Sequence, residues 1–89
     1  MTYRVDSERA LYRYVDGEAV LINTATSYYY SLNPVGTFIW QMLAARPRSE
    51  AEILRAIEAE YAHPVEAAGP DLRSLLHDLK SEGLVIEEA

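Results

Sequence analysis

The side chains best suited to acid–base or nucleophilic chemistry are few: two histidines, His63 and His77, and scattered serines, in an 89-residue chain without cysteine. The histidines fall on a loop and on the polar side of a helix, with no H-E-x-x-H spacing to hold a metal. The serines stand outside any G-x-S-x-G elbow, and no glycine-rich loop follows a strand to cradle a phosphate. Glu58 with Glu60, and Glu87 with Glu88, read as a solvated helix face and a frayed acidic tail. A non-enzymatic protein that needs no cofactor and no metal is therefore expected.

The groups left to do chemistry belong to the backbone. Ser27 to Leu32 holds three consecutive tyrosines and has high β propensity, with no proline or charge to protect it. At a sheet edge its unpaired N–H and C=O groups could take up an extended peptide as a further strand. Alternation sends Tyr28, Tyr30 and Leu32 to one face and Tyr29 and Ser31 to the other. The competing reading is that these tyrosines only pack on helices. A third reading has copies of the chain pairing their own edges.

The elements that must position this edge are legible from turns and periodicity. Ala10 to Val15 and Glu18 to Asn23 alternate around Asp16-Gly17, a dipeptide suited to the positive φ angles of a tight hairpin turn. Asn23 to Thr26 is turn-forming and leads into Ser27 to Leu32, which completes a three-stranded antiparallel meander with its first and third strands as edges. Asn33 is an N-cap with Pro34 at the first helical position, and Val35, Phe38, Ile39, Met42 and Leu43 recur at helical spacing until Pro47. Ser49 and Glu52 form a capping box opening a second helix, whose stripe of Ile53, Leu54, Ile57 and Tyr61 ends before His63-Pro64. After a loop at Val65 to Gly69, Pro70 and Asp71 open a third helix with Leu72, Leu75, Leu76 and Leu79 on one face and Gly83 as its cap. Leu84 to Ile86 is an apolar tail suited to a strand that returns to the sheet. Trp40 reads as a core plug.

The expected class is α+β: a three-stranded antiparallel sheet followed by three helices, in one domain over residues 1–89. Fourteen acidic residues against eight basic give a net charge of -6, which opposes binding to phosphate backbones and anionic membranes. A winged helix-turn-helix would use the third helix to read DNA, yet Arg73 and Lys80 there face Asp71, Asp78 and Glu82, the opposite of a recognition helix. The longest apolar runs, Val20 to Ile22 and Phe38 to Trp40, are far short of the roughly 20 residues of a membrane span, and Met1 to Asp6 has no signal-peptide core. These features predict a soluble cytoplasmic protein.

The run YYYSLNPVGTFIWQMLAARPRSEAEIL and the later DLRSLLHDLKSEGLV resemble the PqqD-like family of peptide-binding domains, the RiPP recognition elements. The resemblance spans roughly Leu11 to Ile86. It rests most on the aromatic strand entering Leu32-Asn33, on Gly36 and Ile39-Trp40, and on the Asp71 to Leu79 helix ending in Gly83-Leu84-Val85. Within the family, LNPVGTFIW is most similar to the stand-alone leader-binding proteins of lasso-peptide biosynthesis. The resemblance implies a winged-helix-like module that captures the leader of a ribosomally made precursor by antiparallel strand addition to Ser27 to Leu32. It implies strand contacts at Ser27, Tyr28, Tyr29, Tyr30 and Ser31 and helix contacts at Leu72, Leu75, Leu76 and Leu79, with Asp71, Arg73, Asp78 or Lys80 at the rim. The implied partners are the precursor, a leader peptidase and a cyclase; nucleic acid and membrane are not among them, and the chain is expected as a monomer or weak dimer. A winged-helix DNA-binding regulator is the alternative.

Overall fold

Thr2–Val5 is an extended segment (β1), and its main partner lies at the far end of the chain. The computed structural model describes residues 1–61 and 65–89, with only the backbone for 65–68; His63 lies outside the described residues. Ala10–Val15 (β2) and Glu18–Asn23 (β3) pair around Asp16 and Gly17, whose φ angles of 53° and 81° are those the Asp-Gly turn predicts. Tyr29–Ser31 (β4) completes the expected meander in the order β2-β3-β4.

The third strand is shorter than the Ser27 to Leu32 expected. Ser27 has φ 64° and donates its N–H to the Asn23 carbonyl at 2.7 Å, so it belongs to the turn. The buried Asn23 side chain holds that turn by accepting the N–H groups of Ala25 and Thr26 at 2.9 and 3.3 Å. Brevity thus gives the edge one of the protections the sequence seemed to lack.

Pro34–Ala45 (α1) starts where Asn33 Oδ1 accepts the Gly36 N–H at 2.8 Å. Thr37 Oγ1, buried one turn in, donates to the Leu32 carbonyl at 3.2 Å and accepts the Ala19 N–H at 2.8 Å, which fastens α1 to the meander. Arg48–Ser49 (β5) leads into Glu50–Tyr61 (α2). The capping box forms as predicted: the Ser49 N–H donates to Glu52 Oε1 at 3.0 Å and the Glu52 N–H to Ser49 Oγ at 3.1 Å. These bonds hold the Glu52 carboxyl below its usual range, the backbone donor first. Ser49→Ala is expected to cost about 1 kcal/mol of stability, read as a shift in the urea midpoint.

Val65–Ser81 (α3) begins five residues earlier than the sequence indicated, and the expected loop at Val65 to Gly69 is helical backbone. Proline usually marks a helix's first turn, which placed the start at Pro70; here Pro70 lies inside the helix and supplies no N–H to the turn before it. The other end matches its signal. Gly83 sits at φ 78°, and the bonds Leu84 N–H to Leu79 O and Gly83 N–H to Lys80 O, both 3.0 Å, make a Schellman cap.

Val85–Glu88 (β6) is a strand as the apolar tail suggested, but it joins a second sheet ordered β5-β1-β6 instead of the meander. Glu87 and Glu88, expected as a frayed tail, are bonded within it. Tyr3 donates its hydroxyl to Glu87 at 2.9 Å, Lys80 Nζ donates to Glu87 at 2.6 Å, and Arg4 pairs with Glu88. Lys80 first, then Tyr3, keep the Glu87 carboxyl below its ordinary range. Between the meander and the helices lies one core containing Leu21, Trp40, Leu43, Ile53, Leu72, Leu76, Leu84 and Val85. Trp40 is the plug the sequence indicated, fully buried with Tyr12 edge-on at 5.5 Å.

Candidate functional site

The register of β3 with β4 decides which backbone groups are free. The Asn23 N–H donates to the Tyr28 carbonyl at 3.0 Å and the Leu32 N–H to the Ala19 carbonyl at 2.9 Å, while Leu21 faces Tyr30. In an antiparallel ladder hydrogen-bonded pairs alternate with unbonded ones, so Tyr30, the Tyr28 carbonyl and the Leu32 N–H turn towards β3. Tyr29 and Ser31 therefore turn N–H and C=O outward, offering four main-chain groups to an incoming strand.

Beyond that edge is an apolar cleft of about 530 Å³. Ser31, Leu32 and Asn33 form one side, Val35, Gly36, Ile39 and Ile57 the floor, and Asp71, Leu72 and Leu75 the far wall. Gly36 lets the first turn of α1 lie close to the strand end: a Cβ there would stand 3.3 Å from Leu32 Cβ and 3.2 Å from Asn33 Oδ1. Beside the cleft, β4 and its turn are fastened to the residue that follows α3. There the Tyr30 hydroxyl donates to the Glu82 carboxylate, and Asn23 Nδ2 donates to the Glu82 carbonyl at 2.6 Å.

Of the residues marked from sequence, Ser31, Asp71, Leu72 and Leu75 line this cleft. Tyr28 and Tyr29 are exposed beside it, 65% and 74% accessible, with Tyr29 on the outer face of the sheet opposite Ile22. Tyr30 points inward and braces the hairpin against the end of α3. Ser27 belongs to the turn, and Asp78 is exposed on α3. Leu76 and Leu79 are buried in the core, whereas Leu75 is only partly buried and reaches the cleft. Arg73 is turned away, its Nε 2.8 Å from Glu50 Oε1 on α2. Asn33, Val35, Gly36, Ile39 and Ile57 were not marked. The signal for them was the Asn33-Pro34-Val35-Gly36 start of α1, which a strand-edge reading did not connect with the cleft.

The bond to Glu82 pushes the Tyr30 hydroxyl up to about 12, from an ordinary value of 10.0. Below pH 10 both folded and unfolded chains keep this proton. Between 10 and 12 the unfolded chain loses it first, so the contribution of the bond to stability declines as pH rises. The stability difference between wild type and Tyr30→Phe, from urea titrations across this window, should shrink towards zero.

Among the described residues, no cluster of three His, Asp or Glu side chains could hold a metal, and no helix is long and apolar enough to cross a membrane.

Comparison with known proteins gives the chain a family and a fold. The family described as Coenzyme PQQ synthesis protein D (PqqD) matches residues 18–85. No curated protein gives a significant match. Among solved structures, TbiB1 in complex with the TbiA(beta) leader peptide is similar over 97% of this chain and 98% of its own, with a TM-score of 0.85 and 30% identity. Lasso peptide synthetase B1, complexed with the leader peptide, shares the fold over 96% and 98% of the two chains, with a TM-score of 0.80 and 24% identity. None of these matches supports the DNA-binding alternative.

Proposed function

The chain belongs to the PqqD family, and from that premise we propose that it is a non-catalytic recognition element acting in the cytoplasm. It binds the leader of a ribosomally made precursor, in the lasso-peptide class, as a fourth strand of the meander. The observation that carries this reading is the free edge at Tyr29 and Ser31 opening directly onto an apolar cleft. Main-chain bonds give the leader affinity and direction, and apolar side chains lowered into the cleft add desolvated anchors. Resemblance of the whole chain to TbiB1, solved with a leader peptide, supports the same occupant.

The test is fluorescence-polarisation titration with a labelled leader from the precursor encoded beside this gene, with a scrambled leader as control. Saturable, sequence-dependent binding near or below micromolar is expected. Absence of binding by folded protein would overturn the reading.

Binding alone contributes effective concentration, so the bound leader must reach processing enzymes, a leader peptidase and a cyclase. The outer face of the meander is available for that contact. Leu11, Ile22 and Tyr29 stand opposite one another in one cross-strand row, with Leu11 and Tyr29 exposed. An added leader strand would extend this row. Leu11→Asp should leave leader affinity unchanged and slow leader removal at least about fivefold in a reconstituted reaction; an unchanged rate would remove this face from consideration.

A further inference from the structure

Helix α3 and the residue that follows it carry five charged side chains from Asp71 to Glu82, and the fold sorts them by sign. At about 100° per residue, positions 71, 75, 78 and 82 fall within an arc of roughly 60°. Two independent contacts fix where that arc points. Asp71 and Leu75 line the cleft, and Glu82 accepts the Tyr30 hydroxyl from β4. The arc between them, including exposed Asp78, therefore faces the free strand edge.

The two cations of the helix are held elsewhere. Arg73 pairs with Glu50 at 2.8 Å on the α2 side, and Lys80 with Glu87 at 2.6 Å on the β6 side. Both lie close to the opposite side of the helix from Asp71 and Asp78, and neither can neutralise them without abandoning its partner. Among the described residues, Asp71 is the one charged residue lining the cleft, and no ion pair engages Asp71 or Asp78.

From this sorting we infer that the cleft is selective for a cationic leader: an extended peptide that sets Lys or Arg side chains, two or four residues apart on one side of the strand, against Asp71 and Asp78. The inference rests on the leader-binding reading and specifies the chemistry of its ligand. Strand addition alone ignores side-chain charge, and an apolar cleft selects only size. The acidic arc adds a preference by sign, attracting basic leaders and repelling acidic ones. Because the arc stands at the solvent edge of the cleft, its effect should be strongest in the association rate and should weaken with salt.

The probe is the labelled leader used above, together with versions in which each Lys or Arg is replaced by Gln or Glu. The proteins are wild type, Asp71→Asn, Asp78→Asn, the double variant and Asp71→Lys; all these sites are exposed, and thermal melting confirms that each variant folds. With wild type binding established, the double variant should bind about tenfold more weakly at low salt and show a flatter salt dependence. Asp71→Lys should recover affinity for a Lys→Glu leader. Unchanged affinity and salt dependence in the double variant, or equal wild-type binding of the Glu-substituted leaders, would overturn the inference while leaving leader binding intact. Failure of wild type to bind any leader would overturn both, and that measurement comes first.

Discussion

Replacing Ser31 with proline should weaken leader capture at least about 30-fold while leaving the protein folded. The Ser31 N–H points away from β3, since Tyr30 before it and the Leu32 N–H after it turn towards that strand. Proline removes one of the two outward donors and fills its place with a ring that holds off an incoming backbone; edge strands tolerate it when the lost N–H faces solvent. A lost main-chain bond and a displaced strand together should cost the complex about 2 kcal/mol or more, about 30-fold in Kd. Ser31→Ala keeps the N–H and should stay within about threefold of wild type. The thermal midpoint of Ser31→Pro should move little, whereas Tyr30→Pro, one residue earlier, breaks the ladder to β3 and should lower it clearly. A folded Ser31→Pro protein that binds the leader like wild type would mean that the peptide does not add to this strand.

The second large effect concerns the core under the site. Trp40 is 0% exposed and meets Tyr12 edge-on, with the rings inclined at 75°. Truncation to alanine leaves a cavity that helices fastened at several points cannot close, at a cost of about 3–5 kcal/mol. A domain of this length has a total stability of about 4–13 kcal/mol, so Trp40→Ala should lose at least a quarter of it and could unfold outright. Urea denaturation followed by circular dichroism reads this as a fall in midpoint of about 2 M or more. Trp40→Phe should recover over half of the loss. A midpoint for Trp40→Ala within 0.5 M of wild type, an arbitrary margin of about 0.5–1 kcal/mol, would deny the indole its role as the core's plug.

Where a local chemical rule governs a feature, the sequence already contains it. Asp16-Gly17, Asn33-Pro34, the Ser49 and Glu52 box and Gly83 each fix a backbone conformation within a few residues, and each is found as its residue types demand. The chain segment forming the open edge was legible for the same reason, as an aromatic stretch between a turn and a cap. Three features were not legible, because their causes are distant. Thr2–Val5 is a strand because Val85–Glu88 and Arg48–Ser49 lie on either side of it. Glu87 and Glu88 look like a solvated tail until Tyr3, Lys80 and Arg4 are brought to them. The split of the α3 leucines, Leu75 to the cleft and Leu76 and Leu79 to the core, follows from how the helix is rolled against its neighbours. Pro70 misled in another way: a residue that favours helix starts can be carried inside a helix when the turn before it is retained.

The pairing of β1 with β6 also sets an order of events during folding. Its innermost pair, Val5 with Val85, closes a loop of about 80 residues, for an entropic cost of about 4 kcal/mol, whereas the Asp16-Gly17 hairpin closes almost none. The meander and the helices can therefore form early, and the second sheet must wait for them to bring the ends of the chain together. In pulse-labelled hydrogen exchange the amides of Thr2–Val5 should be among the last protected. On the ribosome the wait is longer still: apart from its contact with two-residue β5, Thr2–Val5 emerges as a strand whose partner has yet to be synthesised.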